Sequence, residues 1–169
     1  DKFTFASDAN AADVGDITVG RYGLSGSSSA THGYSCGGYG GGYKDIIDKF
    51  SFTSDGNATD VGNLVGAVSA PNGQSSEANG YSSGGATASY STVINKYTTA
   101  SDANATDAGD LTSSQSQGAG QSSATHGYSS GGSPAPKNII SKFTFASDAN
   151  ATDVGDITVG RYGLSGSSS

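Results

Sequence analysis

The chain has 169 residues, 27 of them glycine, and a formal net charge of −7. An acidic chain with no basic stripe is a poor match for nucleic acid. No apolar run approaches the ~20 residues of a spanning helix, and the single cysteine excludes an intrachain disulfide framework or a multi-cysteine zinc site.

Leu, Ile, Val and Phe make up about 15% of the chain, below the ~20% at which most sequences hold a conventional core. Glycine, serine and alanine must then fill the interior, and backbone hydrogen bonding must carry more of the fold.

The sequence repeats. Tyr34, Tyr81 and Tyr128 recur about every 47 residues, as do the pairs Gly37-Gly38, Gly84-Gly85 and Gly131-Gly132. Phe3, Phe50, Tyr97 and Phe143 keep the same spacing. A fixed period in this range marks a repeat architecture. Copy one spans 1–46, copy two 47–93, copy three 94–139, and a partial fourth copy 140–169.

Within a copy, Ile46, Phe50 and Phe52 share one parity and Ile47, Lys49 and Ser51 the other, which predicts a strand. The Ser-Asp-x-Asn-Ala-Thr-Asp-x-Gly segment that follows is turn chemistry. A short strand is expected near Val14–Val19, then a Gly/Ser-rich loop. Ala-Thr-His-Gly-Tyr-Ser predicts another strand, closed by the double glycine. No stretch shows helical spacing. Four short strands per copy suit a propeller blade.

Residues 1–29 and 141–169 match at 27 of 29 positions. Near-identity therefore returns after three copies, which predicts a three-repeat superunit duplicated in a longer parent. Two such superunits would make a six-bladed ring. The chain opens inside a copy and its fourth copy breaks off, so we expect part of a larger or oligomeric propeller.

The Tyr-Ser-Ser-Gly-Gly motif, the Ile/Lys/Phe strand and the Asp-Val-Gly-Asp-Ile-Thr strand together resemble the kelch repeat. The resemblance covers the whole chain and implies an all-β kelch-like β-propeller segment, about 3.5 repeats long. Kelch blades usually carry a tryptophan in the fourth strand, and this chain has none. The wording of His-Gly-Tyr-Ser-Ser-Gly-Gly with Lys-Phe-Thr-Phe-Ala-Ser-Asp-Ala-Asn-Ala-Thr-Asp-Val-Gly-Asp resembles kelch-like repeats in tail and fibre proteins of marine bacteriophages, especially cyanophages.

Several motifs invite chemistry. Gly-Tyr-Ser-Cys-Gly at 33–37 and Gly-Tyr-Ser-Ser-Gly at 80–84 and 127–131 fit G-x-S-x-G. A nucleophilic serine needs a strand-to-helix elbow and a nearby base. Here the motif recurs once per copy and no helix follows, so the glycines read as structural. The Asp/Asn clusters, such as Asp102, Asn104, Asp107 and Asp110, are the best ion candidates. They break the EF-hand pattern, and turn-forming side chains explain them without metal. Lys2, Lys49, Lys96 and Lys142 recur beside the aromatic strand. Either a Lys–Asp pair within each blade, using the acids of the glycine-aspartate corner, or a row of solvated lysines accounts for them. His32 and His126 read as backbone-bonding residues. The Asn-Ala-Thr sequons at Asn57, Asn104 and Asn150 read as turn chemistry, and Cys36 as a small buried residue.

The variable loops are the remaining candidates. Arg21, Tyr22, Tyr39 and Tyr43, with Arg161 and Tyr162 in the last copy, lie in connecting segments, where a rigid scaffold usually carries binding. Tyrosines flanked by glycine suit sugar or protein contact at low entropic cost. The expectation is a non-enzymatic structural and attachment protein, in a virion tail or otherwise extracellular. It would contact other copies, other virion subunits or a host glycan or protein, with no cofactor, catalytic residue, metal, nucleic acid or membrane insertion. A secreted or surface-layer adhesin and a propeller-fold hydrolase or lyase are the alternatives.

Overall fold

The computed structural model describes residues 1–3 and 8–168. It is all-β. Twelve strands form three antiparallel four-stranded sheets, and no helix occurs among the described residues. Sheet one holds β1 (Ser25–Ser28), β2 (His32–Cys36), β3 (Lys44–Ser51) and β4 (Thr59–Val68). Sheet two holds β5 (Asn72–Ser75), β6 (Asn79–Ser83), β7 (Val93–Thr98) and β8 (Thr106–Asp110). Sheet three holds β9 (Ala119–Ser122), β10 (His126–Ser130), β11 (Ile139–Thr144) and β12 (Thr152–Asp156). Each is a simple meander in chain order.

Each sheet begins midway through one sequence copy and ends midway through the next. Its first strand lies in what reads as a Gly/Ser loop. Ser25-Gly26-Ser27-Ser28 pairs with β2 residue by residue, from Ser25 opposite Cys36 to Ser28 opposite Gly33. The segment at 14–19 forms no strand, whereas its equivalents in β4, β8 and β12 do and start earlier, at the threonine of Asn-Ala-Thr.

The sheets stack face to face, and small residues explain how. A Cβ on Gly73 would overlap the Gly26 carbonyl, one on Gly120 the Gly73 carbonyl, and one on Gly166 the Gly120 carbonyl. The first strands therefore approach backbone to backbone, as only glycine permits. Serines extend the same line: Ser28 N–H donates to Ser75 Oγ at 2.9 Å, Ser75 N–H to Ser122 Oγ at 2.9 Å, and Ser122 N–H to Ser168 Oγ at 2.7 Å.

Further out, the gap between sheets fills with side chains. Strand alternation sends Ile94 toward sheet three and Tyr97 toward sheet one, so both faces of sheet two are buried. Tyr34, Cys36, Ile47, Leu64, Val68 and Tyr97 form one cluster, and Tyr81, Ile94, Ala108, Leu111 and Phe143 the other. Each fully buried large side chain contributes about 1.5–3 kcal/mol. The glycine of each His-Gly-Tyr or Asn-Gly-Tyr motif lies under an aromatic ring of the next strand. A Cβ at Gly33, Gly80 or Gly127 would enter the ring of Phe50, Tyr97 or Phe143.

The outer edge carries the Asp/Asn clusters. Asn57, Asn104 and Asn150 each accept, through Oδ1, a backbone N–H of the adjoining repeat, at Asp16, Asn63 and Asp110, all at 3.0 Å. Asp13, Asp60, Asp107 and Asp153 accept the N–H of the glycine two residues on, at 2.9–3.2 Å. Lys2 pairs with Asp55 at 2.8 Å, Lys49 with Asp102, and Lys96 with Asp148. The recurrent lysines thus join successive repeats and use the first acid of each cluster. The expected pairing within a blade, to the glycine-aspartate corner, does not form: these lysines reach the first acid of the next repeat's cluster instead.

Two outcomes follow. Gly73→Ala, which forces backbone apart, is expected to cost about 3 kcal/mol in urea denaturation. Gly66→Ala, whose Cβ meets nothing within 4 Å, is expected to cost less than about 0.5 kcal/mol. Cys36 is buried and donates to Tyr97 Oη at 3.1 Å. Burial pushes its thiol from the ordinary 9.0 up to about 12. A raised thiol favours the fold fully below the unfolded value and loses that contribution as pH climbs through the folded one. Stability should therefore fall between pH ~9 and ~12, and Cys36→Ser should flatten the first part of that decline.

Candidate functional site

The double glycine at the end of β2 turns the chain sharply, with φ of 66° at Gly37 and 109° at Gly38. It delivers Tyr39 against the segment that precedes β1. Tyr22 N–H donates to Tyr39 O at 3.1 Å, and Tyr39 N–H to Tyr22 O at 2.8 Å. Gly40 permits this approach, because a Cβ there would lie 2.6 Å from Gly20 O. The Gly40-Gly41-Gly42 run then returns the chain to Tyr43, which bridges Tyr39.

The outcome is a cluster of three tyrosines. The rings of Tyr22 and Tyr39 lie 5.7 Å apart, and those of Tyr39 and Tyr43 meet edge to face at 5.3 Å. Tyr22 is 70% exposed and Tyr43 40%. Tyr43 Oη donates to Thr87 O at 2.8 Å, pinning the ring to the matching loop of sheet two. The edges and faces left open suit a planar or sugar ring.

Beneath the cluster sits Arg21, and its role differs from that of a loop ligand contact. Its side chain and that of Asp48 are both 0% exposed and pair at 2.8 Å. Arg21 also donates to Gly37 O at 2.7 Å, Val19 O at 3.1 Å and Ser35 O at 3.3 Å. Asp48 accepts further bonds from Thr18 N–H at 3.2 Å and Thr18 Oγ1 at 2.7 Å. The guanidinium thus makes four hydrogen bonds inside the protein, and it fixes the Tyr22 segment onto the double glycine.

Arg161 and Tyr162 do not join this group. They stand on sheet three, where the Gly132 N–H donates to Arg161 O at 2.8 Å, and Tyr162 is largely exposed. The positions matching Tyr22 and Tyr39 are Ser69 and Ala86 in sheet two, and Ser116 and Ser133 in sheet three, each pair bridged alike. The same scaffold therefore carries the bridged Tyr22–Tyr39 pair in only one of the three places, whereas Tyr43 has a tyrosine counterpart in sheet two, Tyr90, bridged to Ala86.

The remaining motifs are engaged locally. Ser82 Oγ lies 3.0 Å from Ser25 Oγ, and Ser129 Oγ accepts from Asn72 Nδ2 at 2.6 Å and from Gln115 Nε2. Both serines sit mid-strand, with hydroxyl and amide neighbours instead of an imidazole. His32 and His126 bond their preceding threonines, Nδ1 to Oγ1 at 2.9 Å in both cases.

Sequence reasoning missed Asp48 as the partner of Arg21. A signal existed: at the same offsets stand Val68 with Asn95 and Gln115 with Ser141, so the charged residues appear together or not at all. Comparison of the chain with protein-family models finds no match, and comparison with curated proteins finds none.

Arg21→Val alone strands a buried carboxylate and is expected to lower stability by about 3–5 kcal/mol. Adding Asp48→Asn recreates the pair used in sheet two and should recover most of that loss in thermal or urea unfolding.

Proposed function

We propose that this protein is a non-enzymatic structural and attachment component, a tail-fibre or tail-associated protein of a bacteriophage virion, built as a kelch-like propeller segment. Stacked sheets give a stiff platform, and the tyrosine cluster is the part of it shaped for contact. The observation that carries this reading is the contrast between sheets. The bridged pair Tyr22 and half-buried Tyr39 replaces the Ser/Ala and Ser/Ser pairs found at the two equivalent sites and, with Tyr43, makes a three-ring cluster that neither of those sites has, on a backbone that is otherwise repeated.

Rigid rings on a fixed backbone lose little freedom on binding, which favours recognition of a host-surface glycan or a flat protein epitope. The buried Arg21–Asp48 pair supports the reading by holding the platform under the rings. Two of the G-x-S-x-G serines, Ser82 and Ser129, are bonded to hydroxyl and amide groups in mid-strand and not to a base, which favours attachment over hydrolysis.

The test is a glycan array and whole-cell binding assay with the intact chain. Tyr22→Ser with Tyr39→Ala installs the residues of sheet two and should leave unfolding unchanged. It is expected to weaken binding about tenfold or more, at ~1 kcal/mol per ring contact. Val159→Ser, a control at an apolar residue 64% exposed and outside the trio, should change nothing. Binding that survives loss of the tyrosines contradicts the assignment.

A further inference from the structure

Beside each sheet, the segment 18–21, or its equivalent 65–68 or 112–115, faces the loop that follows the double glycine. What lies between them differs from repeat to repeat. At sheet one Arg21 crosses the space: Nη1 donates to Val19 O at 3.1 Å and to Asp48 at 2.8 Å, and Asp48 also accepts Thr18 N–H. At sheet three Lys137 Nζ reaches Ser113 Oγ at 3.2 Å, and Thr112 Oγ1 meets Ser141 Oγ at 2.6 Å. At sheet two both devices are gone. Val68 stands in place of Arg21, Gly66 in place of Ser113, and Ser91 in place of Lys137. Asn95, in place of Asp48, repeats only the backbone bond, accepting Val65 N–H at 2.8 Å.

These replacements leave a cavity of about 260 Å³. Val65, Val68 and Val93 give it an apolar wall, and a Cβ on Gly66 would meet nothing within 4 Å. Asn95 also lines it, but both ends of its amide are engaged, with Val65 N–H and Ser82 O. Ser89 and Ser91 edge the cavity with hydroxyls that have bonding capacity left. Ser91 Oγ accepts Val93 N–H at 3.1 Å and keeps its own proton, and Ser89 Oγ has no partner among the described residues. No charged side chain among the described residues lines the space. Thr87 belongs to its rim, and Thr87 O is the acceptor of Tyr43 Oη, so the cavity and the tyrosine cluster share a wall.

Building on the attachment reading, we propose that this cavity takes one N-acetylhexosamine unit of a surface glycan, with the next sugar stacked on Tyr43. The lining selects that class. An acetyl methyl gains by burial against three valines, where a sugar hydroxyl would lose its hydrogen bonds. The acetamido N–H and C=O need one acceptor and one donor, and two serine hydroxyls provide both. A sugar carboxylate would bury its charge without a cation to meet it. The volume lies near the ~300 Å³ at which small-molecule clefts begin, so it holds one unit and the rest of the glycan runs over the surface. There Tyr43, 40% exposed, offers a ring.

The experiment titrates the intact chain with N-acetylglucosamine, N-acetylgalactosamine, glucose and N-acetylneuraminic acid, following the amides of Val65, Gly66, Ser89 and Ser91 by NMR. The two N-acetylhexosamines are expected to shift these amides and to bind about tenfold or more tighter than glucose, the discrimination one buried methyl provides. The β-linked trimer of N-acetylglucosamine should shift Tyr43 as well. Gly66→Ser with Ser91→Lys rebuilds the bridge of sheet three and should abolish the preference for the acetylated sugars without changing thermal unfolding. Gly66→Leu alone, filling the open space, should do the same. Equal binding of glucose or of N-acetylneuraminic acid, shifts confined to Tyr22, Tyr39 and Tyr43, or a preference that survives both variants overturns the proposal and leaves the attachment reading standing. That reading falls separately, by glycan or cell binding that survives loss of the tyrosines.

Discussion

The close approach of one first strand to the next governs this structure. Gly26, Gly73, Gly120 and Gly166 form a line along which backbones meet with no side chain between them. Once that spacing is set on the inside, the rest of each gap has a fixed width. It accommodates one layer of rings such as Tyr34 on Tyr97, 5.5 Å apart, and one layer of cross-repeat bonds at the rim. A bulky residue at Gly73, Gly120 or Gly166 would part the sheets and break the contacts beyond them.

This explains how a chain with few large apolar residues forms a fold. Two small clusters provide its apolar burial, and each is shared between neighbouring sheets. Around them the buried groups are hydroxyls and amides: Ser82, Ser83, Ser129, Ser141, Gln74 and Gln115 are all fully buried. Each hydrogen bond adds roughly 1 kcal/mol net, and an unmade one costs more, so repetition of a nearly satisfied set, with Asn72 Oδ1 and Gln115 Oε1 the buried side-chain atoms left unpaired among the described residues, is an economical solution. Departures from the set are then conspicuous. The Arg21–Asp48 pair and the tyrosines above it form one such departure, and the attachment proposal is built on it.

Much of this was legible in the sequence, for physical reasons that are local. Alternation in 46–52 marks β3, the Asp-x-Gly steps mark turns, and the double glycines mark a backbone that side chains cannot follow. Repetition followed from the period, and its all-β character from the alternation, the turn segments and the absence of helical spacing. What escaped was whatever depends on a neighbouring repeat. Ser25–Ser28 looks like a loop because a strand defined by absent side chains has no pattern to read. The partner of Lys49 lies 53 residues away in another sheet, beyond any acid a local reading would choose. Arg21 reads as a loop cation, and only the fold shows that Asp48, 27 residues on, neutralises it in a dry site. Of the candidate binding residues, proximity of Tyr39 and Tyr43 was visible, while the arrival of Tyr22 beside them required the turn at Gly37-Gly38.

The most direct measurement of the stacking is amide hydrogen exchange, residue by residue, at Ser28, Ser75 and Ser122. Their N–H groups point out of their own sheets and donate to serine hydroxyls of the next repeat. If small-residue stacking holds the molecule together, these three amides exchange as slowly as those of the central strands β6 and β7. Exchange at the rate of an open Gly/Ser loop would show that the first strands do not meet, and would contradict the account.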